Sequence, residues 1–172
     1  AQLSASEISS KSLAIVDALK NAPFFNKCEK IAVYYPFRNE ADTTQLLGIK
    51  EKKFYFPRVI KNSKKLQFHL ITDISELEKG SYGILEPSLD REQAAIEEID
   101  LFIVPGVGFS VEGERIGYGG GYYDTTLAHK RKNASAVGIG FDIQIIKKGF
   151  AEPHDIRLDG LITETLNLLI NI

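Results

Sequence analysis

The sequence predicts an α/β fold: a single three-layer domain over residues 1–172, with a mostly parallel sheet and helices on both faces. Three observations lead there. Short β-branched or aromatic runs recur along the chain, helical stretches separate several of them, and one strand leads directly into a glycine-rich segment. In parallel sheets such segments sit at the carboxyl ends of strands, where ligands bind. A chain of 172 residues suffices for one well-packed core and would cramp two.

The elements follow in order. Ser4 to Glu7 (SASE) reads as a capping box, after which Ile8, Ile15, Val16 and Leu19 make an apolar helical face that ends before Pro23. Strands are expected at 30–36 (KIAVYYP), 53–57 (KFYFP), 65–70 (KLQFHL), 100–105 (DLFIVP), 136–139 and 161–163, each closed by turn residues or short. Helices are expected at 42–47, 91–98, 121–131 and 163–170. The lysines at 61–65 read as a solvated turn.

Composition bounds the function. Hydrophobic residues at 44% and charged residues at 26% are ordinary for a globular chain, and a net charge of -2 offers no overall field for nucleic acid or a membrane surface. Any anion site must therefore be local. The single cysteine, Cys28, excludes an internal disulfide framework and fits a reducing, cytoplasmic compartment. Beside Lys27, Glu29 and Lys30 it reads as incidental rather than reactive. The sequence carries neither a secretory signal nor an apolar run near twenty residues. It begins at Ala1 without an initiator Met, so a processed, trimmed or incomplete start is expected.

Half of the fourteen glycines lie between positions 106 and 121, in VPGVGFSVEGERIGYGGGYYD. A segment so poor in side chains lets backbone N–H groups approach a ligand, and the free donors at a helix start favour an anion. The loop GYGGGYYD is neither a Walker loop nor a dinucleotide fingerprint, and glycines also cluster in loops that bind nothing. Its neighbours favour a nucleotide: Arg115 for phosphate, Tyr118, Tyr122 and Tyr123 for a flat ligand, and Asp124 for a hard cation.

Two other segments put polar groups beyond a predicted strand: 37–42 (FRNEAD), preceded by Tyr34 and Tyr35, and 152–159 (EPHDIRLD). Convergence of strand ends would bring all three into one cleft. Glu40 reads either as a ligand contact or as a helix-start carboxylate. Asp124 and Asp155 are candidates to share Mg²⁺, which takes one or two protein carboxylates and completes its shell with phosphate and water. His154 and His69 have no serine nucleophile pattern beside them, and His129 sits in a basic helix end. No His or Cys pair has metal-ligand spacing.

Taken together, VPGVGFSVEGERIGYGGGYYD, Glu40 to Thr43 (EADT), Pro57-Arg58 and His154 to Asp159 (HDIRLD) resemble, in order, the signature of the 5-formyltetrahydrofolate cyclo-ligase (methenyltetrahydrofolate synthetase) family. The glycine motif is the specific one, and the resemblance runs from about Leu3 to the end. It implies an enzyme using ATP and Mg²⁺ to convert 5-formyltetrahydrofolate, polyglutamylated or not, to 5,10-methenyltetrahydrofolate with release of ADP and phosphate. Phosphorylating the formyl oxygen turns a poor leaving group into phosphate, so that N10 can close the ring. By position, the resemblance assigns ATP to Arg115, Ile116, Gly117, Tyr118, Gly119, Gly120, Gly121, Tyr122 and Tyr123. It assigns the folate to Tyr35, Glu40 and residues Tyr118, Gly119, Gly120, Gly121 and Tyr122, catalysis to Glu40, Arg115 and Tyr122, and Mg²⁺ to Asp124 and Asp155. Arg58 is a further anion candidate. A monomer without nucleic-acid or membrane partners is implied.

The chain departs from the family pattern twice. Many members carry a basic residue at the position of Tyr118 or Gly120, so here Arg115 bears more of the phosphate charge. Members also open with a Lys/Arg-rich helix that reaches the ATP, whereas this sequence begins at AQLSASE, past the expected end of that helix. Two other readings compete: a nucleotide- or folate-binding protein with weak or no turnover, and a sugar-phosphate enzyme on a similar scaffold.

Overall fold

Apolar residues alternate along the central strands with a period of two, and the two faces they define are each covered. A computed structural model describes residues 2–150, 152–153 and 155–172. In chain order it has helices α1 (Ala5–Asn21) and α2 (Pro23–Asn26), then strands β1 (Lys30–Ala32), β2 (Lys53–Val59), β3 (Leu66–Leu70), β4 (Leu77–Lys79) and β5 (Leu85–Pro87). Strands β6 (Gln93–Ala94), β7 (Leu101–Val104), β8 (Gly108–Phe109) and β9 (Arg115–Ile116) follow, then helix α3 (Tyr122–Leu127) and strands β10 (Ser135–Ile139), β11 (Gly160–Ile162) and β12 (Asn167–Leu169).

Eight strands form one sheet in the order β12-β11-β10-β7-β1-β2-β3-β6. Its centre, from β11 to β2, is parallel. The edges β12, β3 and β6 are antiparallel. Ile31, Phe54, Phe56, Leu101, Ile103, Val137 and Ile162 face one core, which α1 and α2 cover with Ile15, Val16, Leu19, Phe24 and Phe25. Ala32, Tyr55, Phe68, Phe102, Val104, Ala136 and Leu161 face the other, closed by Leu127 of α3, Phe109 and Leu158. The expected α/β architecture with helices on both faces is what the chain adopts.

Helix α1 begins where the sequence places it. The Ser4 hydroxyl accepts from the Glu7 N–H at 3.2 Å while the Glu7 carboxylate accepts from the Ser4 N–H at 2.8 Å, satisfying two donors that a bare helix start leaves open. Leu19 is fully buried, and truncating it to Ala would cost about 2–5 kcal/mol.

Two expected helices are strands instead. Residues 91–98 give β6, which pairs Ala94 and Gln93 with Phe68 and His69, followed by a single 3-10 turn at Ile96–Glu98. The open edge of β3 offers ladder bonds to a segment too short to stabilise a helix by itself. Residues 163–170 turn back as β12 because the Thr163 hydroxyl accepts from the Leu166 N–H at 2.9 Å and the Thr163 N–H donates to the Leu166 carbonyl at 2.8 Å. Side-chain bonding of this kind competes with helix formation. The helix expected over 42–47 is a 3-10 turn at Thr44–Gly48, and α3 stops at Leu127, short of the expected 131.

The strand order fixes where a ligand can enter. From β1 the chain moves to β2 on one side, while β7, β10 and β11 build outward on the other. The order therefore reverses between β1 and β7, which opens a crevice at their carboxyl ends. The segment holding Glu40 follows β1, and the glycine segment follows β7.

Candidate active site

The glycine segment is two structures, not one loop. Strands β8 and β9 pair as a hairpin, which delivers Arg115 back to the end of β7, where its guanidinium donates to the Pro105 carbonyl at 3.2 Å. The loop proper is 117–121. Gly119 and Gly121 have φ of +92° and +72°, a region L side chains avoid, and Gly121 sets the start of α3. A Cβ at Gly117 would stand 2.8 Å from Arg115 Nη1, whereas one at Gly119 would meet nothing within 4 Å. The loop thus leans on Arg115 and is open on its other side, with residues 118–120 exposed.

Arg115 is the hub. Its side chain is only 7% exposed, and Asp124 Oδ1 lies 4.0 Å from Nη2. The guanidinium sits 5.4 Å from the centre of the Tyr123 ring. Burial pulls its pKa down, and interactions with Asp124, Tyr123, Asp155 and Glu40 oppose this, three of them carboxylates. Those carboxylates come from three segments distant in sequence, so the three polar segments share one electrostatic neighbourhood. The 152–159 segment is also joined to the β8–β9 hairpin directly: Leu158 N–H donates to the Gly113 carbonyl at 2.8 Å, and Arg157 donates to the Glu112 carbonyl at 3.1 Å.

Glu40 closes the site from the β1 side. It is buried, and its two oxygens accept from the Phe37 N–H at 2.8 Å and from the Tyr118 hydroxyl at 3.1 Å. Burial raises its pKa, against the Phe37, Tyr118 and Arg115 interactions that lower it. Tyr118 in turn is pushed up to about 12 by burial and by the charge and hydrogen bond of Glu40. Its ring also meets Phe37 edge-on at 5.8 Å. Beside it Arg38, in a left-handed conformation with φ of 53°, lays its guanidinium 4.9 Å over the Phe37 ring.

Residues 1–164 match the model of the 5-formyltetrahydrofolate cyclo-ligase family. The chain belongs to that family. It is 33% identical over 178 residues to the mitochondrial 5-formyltetrahydrofolate cyclo-ligase of Arabidopsis thaliana, covering 87% of this chain and 64% of that protein. To the Escherichia coli K12 5-formyltetrahydrofolate cyclo-ligase it is 34% identical over 139 residues, 77% of this chain and 76% of the other. The NMR structure of Aquifex aeolicus 5,10-methenyltetrahydrofolate synthetase superposes with a TM-score of 0.86 at 32% identity, over 99% of this chain and 86% of that one.

Among the positions that the cyclo-ligase resemblance singles out, Asp124 and Tyr123 lie against the Arg115 guanidinium, Asp155 and Glu40 act on it electrostatically, and Tyr118 is hydrogen-bonded to Glu40. Ile116 and Gly120 lie along the exposed side of the segment. The Tyr122 hydroxyl lies 3.3 Å from that of Tyr82 in the β4–β5 turn. Tyr35 is half-buried and packs on the core beneath α1. Arg58 is committed elsewhere: it donates to the Pro87 carbonyl at 2.7 Å and pairs with Glu78 at 3.3 Å. His69 bonds the Arg91 carbonyl at 2.9 Å inside the sheet, and His154 lies outside the described residues. Cys28 donates to the Phe24 carbonyl at 3.2 Å, and burial pushes its thiol up, away from reactivity.

Two side chains that sequence reasoning passed over meet the glycine segment. Tyr82 sits in a turn with φ of 59°, a conformation no residue pattern announced. Lys64, within the lysine cluster read as a solvated turn, lies over Gly121. A divalent ion is tested by its donors: Asp124, 44% exposed at the loop end, and Asp155, which accepts from the Glu152 N–H at 2.8 Å. No group of three or more His, Cys, Asp or Glu forms a metal cage among the described residues. Two such hard carboxylates are donors of the kind Mg²⁺ takes, with water and phosphate as its other ligands.

Proposed function

We propose that this chain carries out the reaction for which its relatives are named, converting 5-formyltetrahydrofolate to 5,10-methenyltetrahydrofolate with ATP as the second substrate and ADP and phosphate as products. The observation that carries the reading is the grouping of Glu40 and Asp124 about the buried Arg115, beside a glycine-rich loop open to solvent. An N-formyl oxygen leaves poorly, so transfer of the γ-phosphoryl group to it precedes attack by N10 on the formyl carbon, and phosphate departs.

The chain's part is positioning and electrostatics. The amides of Gly117, Gly119, Gly120 and Gly121, with Arg115 and Ile116, hold the triphosphate. Tyr118, Tyr122 and Tyr123 wall the nucleotide and the folate. Glu40, fixed by Phe37 and Tyr118, accepts from the substrate near its reacting end, and Tyr35 borders the pterin. Arg115 offsets charge on the transferring group. Asp124 and Asp155 would hold Mg²⁺, which supplies charge neutralisation at the phosphates. The protein works as a monomeric single domain in one-carbon metabolism, in a reducing compartment such as the cytosol.

The test is to incubate the chain with MgATP and 5-formyltetrahydrofolate and to follow methenyl absorbance and ADP together. Equal rates of both support the reading. Binding of both ligands without product would leave a folate- or nucleotide-binding protein, and indifference to both would contradict the assignment.

A further inference from the structure

The proposed phosphate site has a charge deficit. Between Gly106 and Asp124 the sequence holds one basic residue, Arg115, and that guanidinium is buried among the charges of Asp124, Asp155 and Glu40. A polyphosphate placed on the loop would meet three carboxylates against Arg115 beneath it and Arg38, which lies over the Phe37 ring that Tyr118 packs against. Backbone amides contribute only partial charge.

The missing cation reaches the loop from another element. Lys64 belongs to the turn joining β2 and β3, and a Cβ at Gly121 would lie 3.6 Å from its Cδ and 3.8 Å from its Nζ. Its stem therefore passes over Gly121, and its ammonium ends beside the loop. The turn that presents it is built: Ile60 N–H donates to the Lys65 carbonyl at 3.2 Å, Lys65 N–H donates to Ser63 Oγ at 3.1 Å, and Asn62 takes a φ of 59°. Its neighbours point elsewhere. Lys61 lines a cleft of about 620 Å³ with Arg58 and Lys79, and Lys65 lines a hollow beside Thr125 and His129.

We propose that Lys64 is a phosphate-binding residue of this site, supplying from the β2–β3 turn the ammonium that the loop GYGGGYYD lacks. The inference rests on the ATP reading above. A lysine suits the task because its compact charge and flexible stem follow a phosphate whose position changes during transfer.

The experiment measures KM for MgATP and for 5-formyltetrahydrofolate, with calorimetric Kd for MgATP, in the wild type, Lys64→Ala, Lys64→Arg and Lys65→Ala. Loss of one charge-assisted contact predicts about a tenfold rise in KM and Kd for MgATP in Lys64→Ala. The folate KM stays within about twofold, Lys64→Arg recovers most of the loss, and Lys65→Ala behaves as wild type. Melting temperatures separate this from a folding defect, since an exposed turn residue should shift them little. A MgATP Kd unchanged in Lys64→Ala, or a rise matched by Lys65→Ala, overturns the role of Lys64 while leaving the ATP reading intact. A wild-type chain that neither binds nor turns over MgATP overturns both.

Discussion

Asp100 and Glu40 stand at opposite ends of the same parallel strands, and the fold treats them differently. Asp100 precedes β7 at the amino end of the sheet. Its carboxylate accepts from the N–H groups of Glu29 and Lys30, both at 2.8 Å, and is paired with Arg131. Burial works to raise its pKa, but those three partners outweigh it and the value is lowered. Glu40, beyond the carboxyl end of β1, has two partners and a pKa raised by burial. One carboxylate is saturated and staples strands together; the other is held under-neutralised, as residues awaiting a ligand are. On the proposed function, stability and chemistry divide between the two ends of the sheet.

The sharpest way to break this division is Asp124→Asn. Asp124 lies on the Glu40 side and is 44% exposed, so turnover should fall on the order of a hundredfold, by analogy with loss of one preorganised electrostatic group. Its melting temperature should move little. Normal activity with a large loss of thermal stability would move Asp124 to the structural class.

Asp100→Asn should do the reverse. Removing a paired charge leaves Arg131 and two amides poorly served, and unfolding free energy should drop by about 2 kcal/mol, with kcat of the folded fraction unchanged. The pH dependence has a definite sign. Because folding lowers the pKa of Asp100 below its ordinary 3.8, its contribution is present above 3.8 and disappears as pH falls through the lowered value. Denaturant melts of wild type and variant should converge below that point.

Glu40→Gln sharpens the contrast. Folding raises this pKa above its ordinary 4.5, so the favourable contribution of Glu40 is complete below 4.5 and lost as pH rises through the raised value. At pH 7 the variant should be as stable as wild type or more so, while turnover falls about tenfold for one lost charged contact. Melts at pH 4 and pH 7 with parallel kinetics check it. Smallest is Tyr118→Phe. It removes one bond to Glu40, worth about 1 kcal/mol, and should shift the acid limb of the pH–rate profile upward because one group that lowers the Glu40 pKa is gone.

How much of this was legible in the sequence depends on whether the signal was local. The Ser4–Glu7 box and the apolar face of α1 are local, as are the apolar runs in DLFIVP and at 136–139, and the structure repeats them. The motif residues Glu40, Arg115 and Asp124 could be named because each belongs to a segment that follows a predicted strand. What depended on distant partners was hidden. The edge of β3 turned 91–98 into strand β6, and the Thr163 hydroxyl turned 163–170 into β12. The β8–β9 hairpin split the glycine segment, and it is this that carries Arg115 back under the loop. Lys64 and Tyr82 reach Gly121 and Tyr122 from turns whose residues look like ordinary surface.

The central claim is that phosphates bind to the Gly117–Gly121 backbone. It is tested most directly by titrating the ¹⁵N-labelled chain with Mg²⁺ and a non-hydrolysable ATP analogue. The account predicts that the amides of Gly119, Gly120 and Gly121 shift most, while those of Glu29 and Lys30 at the Asp100 end stay in place. Saturable shifts confined to other surfaces, with the glycine amides unmoved, would contradict it.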